Sequence, residues 1–190
     1  MSQQELLIAV AASLDEQSVA YLLTGSIVSS LFGEPRLTHD IDILVQASAL
    51  DPPKLARSFP PPRYYLDAPE SIERTIREGS MFNLIDVSTG DKVDFWILSD
   101  SPFDLSRLQR RKRLNLFGAL VWVSSPEDII IAKLSWAKLS GSSEKQFQDA
   151  LRVFEVQGVA LDLGYCELWA ARQGVRQLWE RLLAEAEQQP

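Results

Sequence analysis

The segment from Val19 to Val45 constrains the fold more than any other. An apolar run, VAYLLT, breaks at Gly25-Ser26, passes through IVSSLF to Gly33 and Pro35, and returns as DIDILV. The pattern predicts a buried strand, a short helix and a second strand from Asp40 to Val45. Side chains two apart on a strand share a face. Asp40 and Asp42 therefore stand side by side, with Ile41 and Ile43 turned to the core. Two adjacent carboxylates repel, and a divalent cation or a shared proton relieves the repulsion. Hard oxygen donors facing an open site suit Mg²⁺ or Mn²⁺. At the break, Gly25 lets the backbone approach a phosphate, and the helix-start amides with the Ser26 hydroxyl can bind its charge. Each feature also has a plain reading: a solvent-facing strand edge for the acids, and a strand-to-helix turn for Gly25-Ser26.

Further along, MFNLIDV and KVDFWIL flank Ser88-Thr89-Gly90-Asp91 as a hairpin, after a helix around Ser71 to Glu78. Asp94 interrupts the second of these strands, and an acid in so apolar a run needs a partner. A metal shared with Asp40 and Asp42 would serve. Asp86, in the neighbouring strand, competes for that role; Asp94 is preferred because it lies deeper in its strand. The Pro-rich DPPKLARSFPPPR is expected to be a loop excursion, and LFGALVWV a last strand. Helices open and close the chain. Ser2 with Glu5 makes a capping box ahead of Leu6, Leu7, Val10 and Leu14. Ser125 caps a helix with Pro126 at its first position, followed by further helices through EKQFQDALRVFEVQG, GYCELWAARQG and VRQLWERLLAEAEQ. Strands in the first two-thirds and helices in the last third imply an α+β fold with a helical C-terminal lobe. The expected division is a core over residues 1–124 and a lobe over 125–190 packed on it.

With 190 residues and a formal charge of −7, the chain does not attract polyanions as a whole. Nucleic-acid binding would have to be local, and RLQRRKR, Arg107 to Arg113, is the dense basic stretch. It is expected on a helix, either as a solvated face or as a dock for a phosphate-bearing acceptor such as RNA. A nucleic-acid-binding module would rest on this stretch alone. One cysteine, Cys166, excludes an internal disulfide framework and a multi-thiolate zinc site, and its setting predicts packing. No stretch is apolar enough to span a membrane and the start lacks signal-peptide features, so the expected location is the cytoplasm. His39 should project away from the two acids, as a surface or supporting group rather than a base. Trp136, Trp169 and Trp179 are expected to pack, and Arg36 and Thr38 to steady the loop or touch a phosphate.

Taken together, LLTGSIVSSLFGEPRLTHDIDILV and KVDFWIL resemble the nucleotidyltransferase superfamily that includes the DNA polymerase β-like enzymes. Within it, RLTHDIDIL and SPEDIIIAKLSWAK are similar to the bacterial AbiEii toxin and minimal nucleotidyltransferase group. The resemblance implies a mixed β-sheet flanked by helices. It matches Gly25 and Ser26 to phosphate-binding positions, Asp40 and Asp42 to metal ligands, Asp94 to the third acid and Lys133 to a lysine near the triphosphate. A Lys-Asp pair common in the group is absent: Lys145 is followed by Gln146, and the acid comes at Asp149. The implied activity is Mg²⁺-dependent transfer of a nucleoside monophosphate from a nucleoside triphosphate to a protein, tRNA or small-molecule hydroxyl. A toxin–antitoxin role with a cognate antitoxin is also implied. The rival expectation is a nucleotide-binding or protein-interaction module that keeps the fold and transfers nothing.

Overall fold

The computed structural model describes residues 2–187. These residues form two compact units. The first comprises the chain up to Thr24 and Thr38–Val123, and the second comprises Gly25–Leu37 and the chain from Ser124 onward. The last residue of VRQLWERLLAEAEQ, Gln188, lies outside the described residues. No helix among the described residues is long and apolar enough to cross a membrane.

The first unit contains α1 (Gln3–Glu16), β1 (Tyr21–Thr24), β2 (Asp40–Val45), α3 (Pro52–Ser58), β3 (Tyr64–Leu66), α4 (Pro69–Glu78), β4 (Met81–Asp86), β5 (Lys92–Ile97), α5 (Pro102–Arg110), β6 (Lys112–Leu116) and β7 (Ala119–Val123). The seven strands make one mixed sheet in the order β3-β4-β5-β2-β1-β7-β6. β2 runs antiparallel to β1 and parallel to β5, and β1 runs parallel to β7. The architecture is α+β, as the sequence implies.

One face of this sheet is continuous core. Tyr21, Leu23, Ile41, Ile43, Val45, Phe82, Leu84, Val93, Phe95, Val121 and Val123 are all buried there, and the Phe82 and Phe95 rings stack at 4.7 Å. α1 packs against β7 and α4 against β4. Their stripes of Leu6, Leu7, Val10, Leu14 and Ile72 are buried with the sheet residues. The predicted capping box of α1 is present, with Ser2 and Glu5 bonding each other's backbone. The opposite face carries the acids, and Leu108 of α5 covers part of it by packing on Leu22 and Leu44.

Three local expectations are corrected. The Pro-rich segment is not simply a loop. Asp51 accepts the Lys54 amide, Pro52 starts the helix and Leu55 is buried, so the prolines open α3 rather than exclude it. LFGALVWV is not one strand, because Phe117 and Gly118 both take positive φ (54° and 88°) and turn β6 back into β7. Arg107 to Arg113 is not one helix. α5 ends at Arg110, Arg111 is extended, and Lys112 and Arg113 lie on β6.

The second unit contains α2 (Gly25–Phe32), α6 (Pro126–Leu139), α7 (Glu144–Gln157), α8 (Leu163–Arg172) and α9 (Arg176–Ala186). Ser125 caps α6 by accepting the Asp128 amide, with Pro126 inside the first turn. Trp169, Trp179 and Cys166 are buried as expected, whereas Trp136 is 47% exposed.

Candidate active site

The carboxylate site is built by strand register. Asp42 of β2 is the Cα partner of Asp94 of β5, and Asp40 is the partner of Lys92. Partners on adjacent strands lie about 4.8 Å apart along the hydrogen-bonding direction and point to one face. Thr24 of β1 pairs with Asp42, and Asn83 of β4 pairs with Asp94. A polar row of Thr24, Asp42, Asp94 and Asn83 thus crosses four strands, with Asp40 and Lys92 one step along the same face. Asp86 belongs to the other face, since it follows Leu84 in the alternation of β4. It is buried there, accepting from the Ser88 amide and hydroxyl and from Arg63. The Ser88 hydrogen bonds first, with help from Arg63, hold its carboxyl below the ordinary value despite burial.

Asp94 is buried, and its Oδ1 has no hydrogen-bond partner among the described residues. Its Oδ2 meets Lys92 Nζ at 2.9 Å, and the same ammonium reaches Asp40 Oδ1 at 3.5 Å. The hydrogen bond to Asp94, together with both carboxylate charges, raises the Lys92 pKa against the opposing effect of burial. Trp96 Nε1 donates to Asp42 Oδ1 at 3.2 Å. Among the described residues, no three His, Cys, Asp or Glu side chains are arranged as a ready-made metal site. The chemistry of the donors nevertheless suits Mg²⁺ or Mn²⁺: hard oxygens on one face, a buried carboxylate oxygen lacking a partner, and an ammonium already drawn between two acids. His39 is exposed and lies 3.9 Å from Asp91, away from this row.

Arg107, read from the sequence as part of a basic stretch, is buried beside the polar row. It donates to Thr24 Oγ1 at 3.0 Å, pairs with Asp104 and lies over the Phe103 ring. Arg111 and Arg113 lie over the Trp122 ring, 4.5 and 5.6 Å from its centroid, and Arg113 also meets Asp15. The stretch is therefore several separate side-chain roles rather than one basic surface.

A second constellation belongs entirely to the second unit. Gly25 takes φ +66°, a conformation suited to glycine, at the start of α2. The next hydroxyl, Ser26 Oγ, accepts from Arg36 Nη2 at 2.5 Å and from Lys133 Nζ at 3.4 Å. Asp149 of α7 holds both cations, accepting from Arg36 Nε at 2.9 Å, Arg36 Nη2 at 2.8 Å and Lys133 Nζ at 2.7 Å. Burial pushes the Asp149 carboxyl up, but the hydrogen bonds and charges of Arg36 and Lys133 outweigh it and leave the carboxyl below its ordinary value. Lys133 is thus a buried, paired lysine and not a surface one. The part played by Asp149 was missed from the sequence, although a signal exists. Lys133 lies on the buried stripe of Ile129 and Ala137, and Asp149 lies four residues before buried Val153. Charges on apolar stripes demand partners.

No protein-family model matches the sequence, and no curated protein matches it. Solved structures do match the fold. The crystal structure of ANT(2″)-Ia in complex with adenylyl-2″-tobramycin aligns at TM-score 0.59 and 14% identity, over 93% of this chain and 99% of that one. The solution structure of the same antibiotic-resistance factor aligns at 0.52 and 14%, over 98% of each chain. An antigenic nucleotidyltransferase-like protein from Paracoccidioides brasiliensis aligns at 0.54 and 20%, over 96% of this chain and 92% of its own. The mixed sheet with flanking helices is therefore a nucleotidyltransferase-like fold.

Proposed function

We propose that the chain is a divalent-metal-dependent nucleotidyltransferase, moving a nucleoside monophosphate from a nucleoside triphosphate to an acceptor hydroxyl. The observation that carries this reading is the register of Asp42 with Asp94, beside Asp40 on one face of a nucleotidyltransferase-like sheet. Asp40, Asp42 and Asp94 hold Mg²⁺ or Mn²⁺. When bound, the metal neutralises phosphate oxygens and eases deprotonation of the acceptor hydroxyl. The acceptor oxygen bonds to the α-phosphorus, the bond to the β-phosphate bridge breaks and pyrophosphate leaves. Asp94, with one carboxylate oxygen lacking a partner, takes the acceptor proton. Gly25 and Ser26 contact the phosphates, and Lys133 and Arg36 supply the positive charge there, oriented by Asp149. On resemblance, the acceptor is a protein, a tRNA or a small molecule, and the chain is a toxin–antitoxin component with a cognate antitoxin. The adenylylated tobramycin bound to ANT(2″)-Ia adds aminoglycosides to the acceptors to screen.

The second reading, a nucleotide-binding or interaction module without turnover, is favoured by one observation: Lys92 already pairs with Asp40 and Asp94 and offsets part of their charge. Incubation with α-labelled triphosphates, Mn²⁺ or Mg²⁺ and the acceptor classes separates the two. Label transfer lost in Asp42→Asn and Asp94→Asn supports the enzyme. Metal-dependent triphosphate binding without transfer or pyrophosphate release supports the module, and no triphosphate binding sinks both.

A further inference from the structure

The carboxylate face carries its own cation. Lys92 alternates with Asp94 on β5 and is the cross-strand partner of Asp40, so backbone register alone delivers its side chain to both acids. Its ammonium lies 2.9 Å from Asp94 Oδ2 and 3.5 Å from Asp40 Oδ1. A divalent ion would bind such oxygens at about 2.1 Å, where it would repel the ammonium and compete for the same lone pairs. Lys92 and Lys133, which both pair with acids of the candidate site, differ in their freedom to move. Lys133 has 6% of its side chain exposed and is locked on Asp149, whereas Lys92 has 31% exposed. With a flexible four-carbon stem, Lys92 has a short route into water.

We propose that Lys92 is a displaceable internal counter-ion: it holds Asp40 and Asp94 together in the metal-free protein and leaves their oxygens when a divalent ion binds. It thereby sets the metal concentration at which the site fills. The inference rests on the metal-dependent reading above and deepens it. Lys92 offsets the repulsion between the acids before metal arrives, and the cost of moving it off their oxygens raises the threshold for loading. The site is consequently preformed yet selective for metal concentrations high enough to displace the lysine.

Calorimetric titration of Mn²⁺ into wild type, Lys92→Met and Lys92→Gln tests the proposal. Both variants should bind Mn²⁺ about tenfold more tightly, the equivalent of about 1.4 kcal/mol, with unchanged stoichiometry. In EDTA they should melt below wild type, and saturating Mn²⁺ should abolish the deficit; a purely structural ion pair would leave the same deficit in both conditions. On the wild type, labelling of the Lys92 amine by an amine-reactive ester, read by mass spectrometry, should be slow in EDTA and accelerate in step with Mn²⁺ occupancy. Tighter binding by the variants without faster wild-type labelling would reduce the effect to long-range charge and overturn displacement. Equal Mn²⁺ affinity in all three proteins overturns the inference while leaving the metal site standing. No Mn²⁺ binding by any of them removes the metal site and the inference with it. If the variants do not fold, the labelling of the wild type decides.

Discussion

Asp149→Asn is the most informative single substitution, because one carboxylate anchors two cations. Asp149 and Lys133 have 9% and 6% of their side chains exposed, so neutralising the acid strands a buried ammonium. Breaking a buried ion pair from one side costs about 3–5 kcal/mol. Arg36, at 27% exposed, regains much of its lost interaction from water, which places the expected cost near the lower bound, about 3 kcal/mol. For a chain of this length each kcal/mol lowers the melting temperature by about 2–4 °C, so the variant should melt about 6–12 °C below wild type. Circular dichroism melts at neutral pH measure this directly. The double variant Asp149→Asn with Lys133→Met removes both charges and should recover part of the loss, because the stranded ammonium is gone. A single variant within about 2 °C of wild type, or a double variant no more stable than the single, would refute a buried hub at Asp149.

Acid unfolding should follow the two depressed carboxyls. Asp86 and Asp149 both titrate below the ordinary 3.8 in the folded protein, so each contributes stability that is fully present above the unfolded value of about 3.9 and lost as pH falls through the folded one. Urea unfolding from pH 7 to 3 should show a flat stability until about pH 5 and a decline below about pH 4, shallower in Asp149→Asn; a loss already complete at pH 5 would contradict it. Gly33→Ala should destabilise by about 1–3 kcal/mol, because an added Cβ would lie 2.9 Å from the Ser29 carbonyl and the Val153 amide; an unchanged melting temperature would show that the backbone yields. If the basic stretch docks RNA, Arg110→Glu with Arg111→Glu should weaken RNA binding at low salt and leave triphosphate affinity unchanged. An unaltered RNA affinity would confine Arg111 to its contacts within the chain, over the Trp122 ring and with the Leu108 carbonyl.

Much of the architecture was legible because it is local. The alternation in DIDILV follows from the two-residue pleat, so the shared face of Asp40 and Asp42 and the buried face of Ile41 and Ile43 needed no partner strand to be read. The Ser2 and Ser125 caps were legible for the same reason: a cap is a contact over three residues. Turn chemistry at Phe117-Gly118 and the Asp51-Pro52 helix start were equally local, but a Pro-rich composition and an unbroken apolar run masked them. What the sequence by itself could not decide is which strands become neighbours. Asp94 joins Asp42, and Lys92 joins Asp40, only because β5 docks beside β2 in that register; a slip of one residue would turn Asp94 to the other face. Likewise Arg36 meets Asp149 across 113 positions of chain, a distance over which no periodicity carries information. Local dihedral preference determined the elements and their faces, while long-range pairing, driven by burial of the Ile41, Ile43 and Phe95 face, decided which charges would have to share a site.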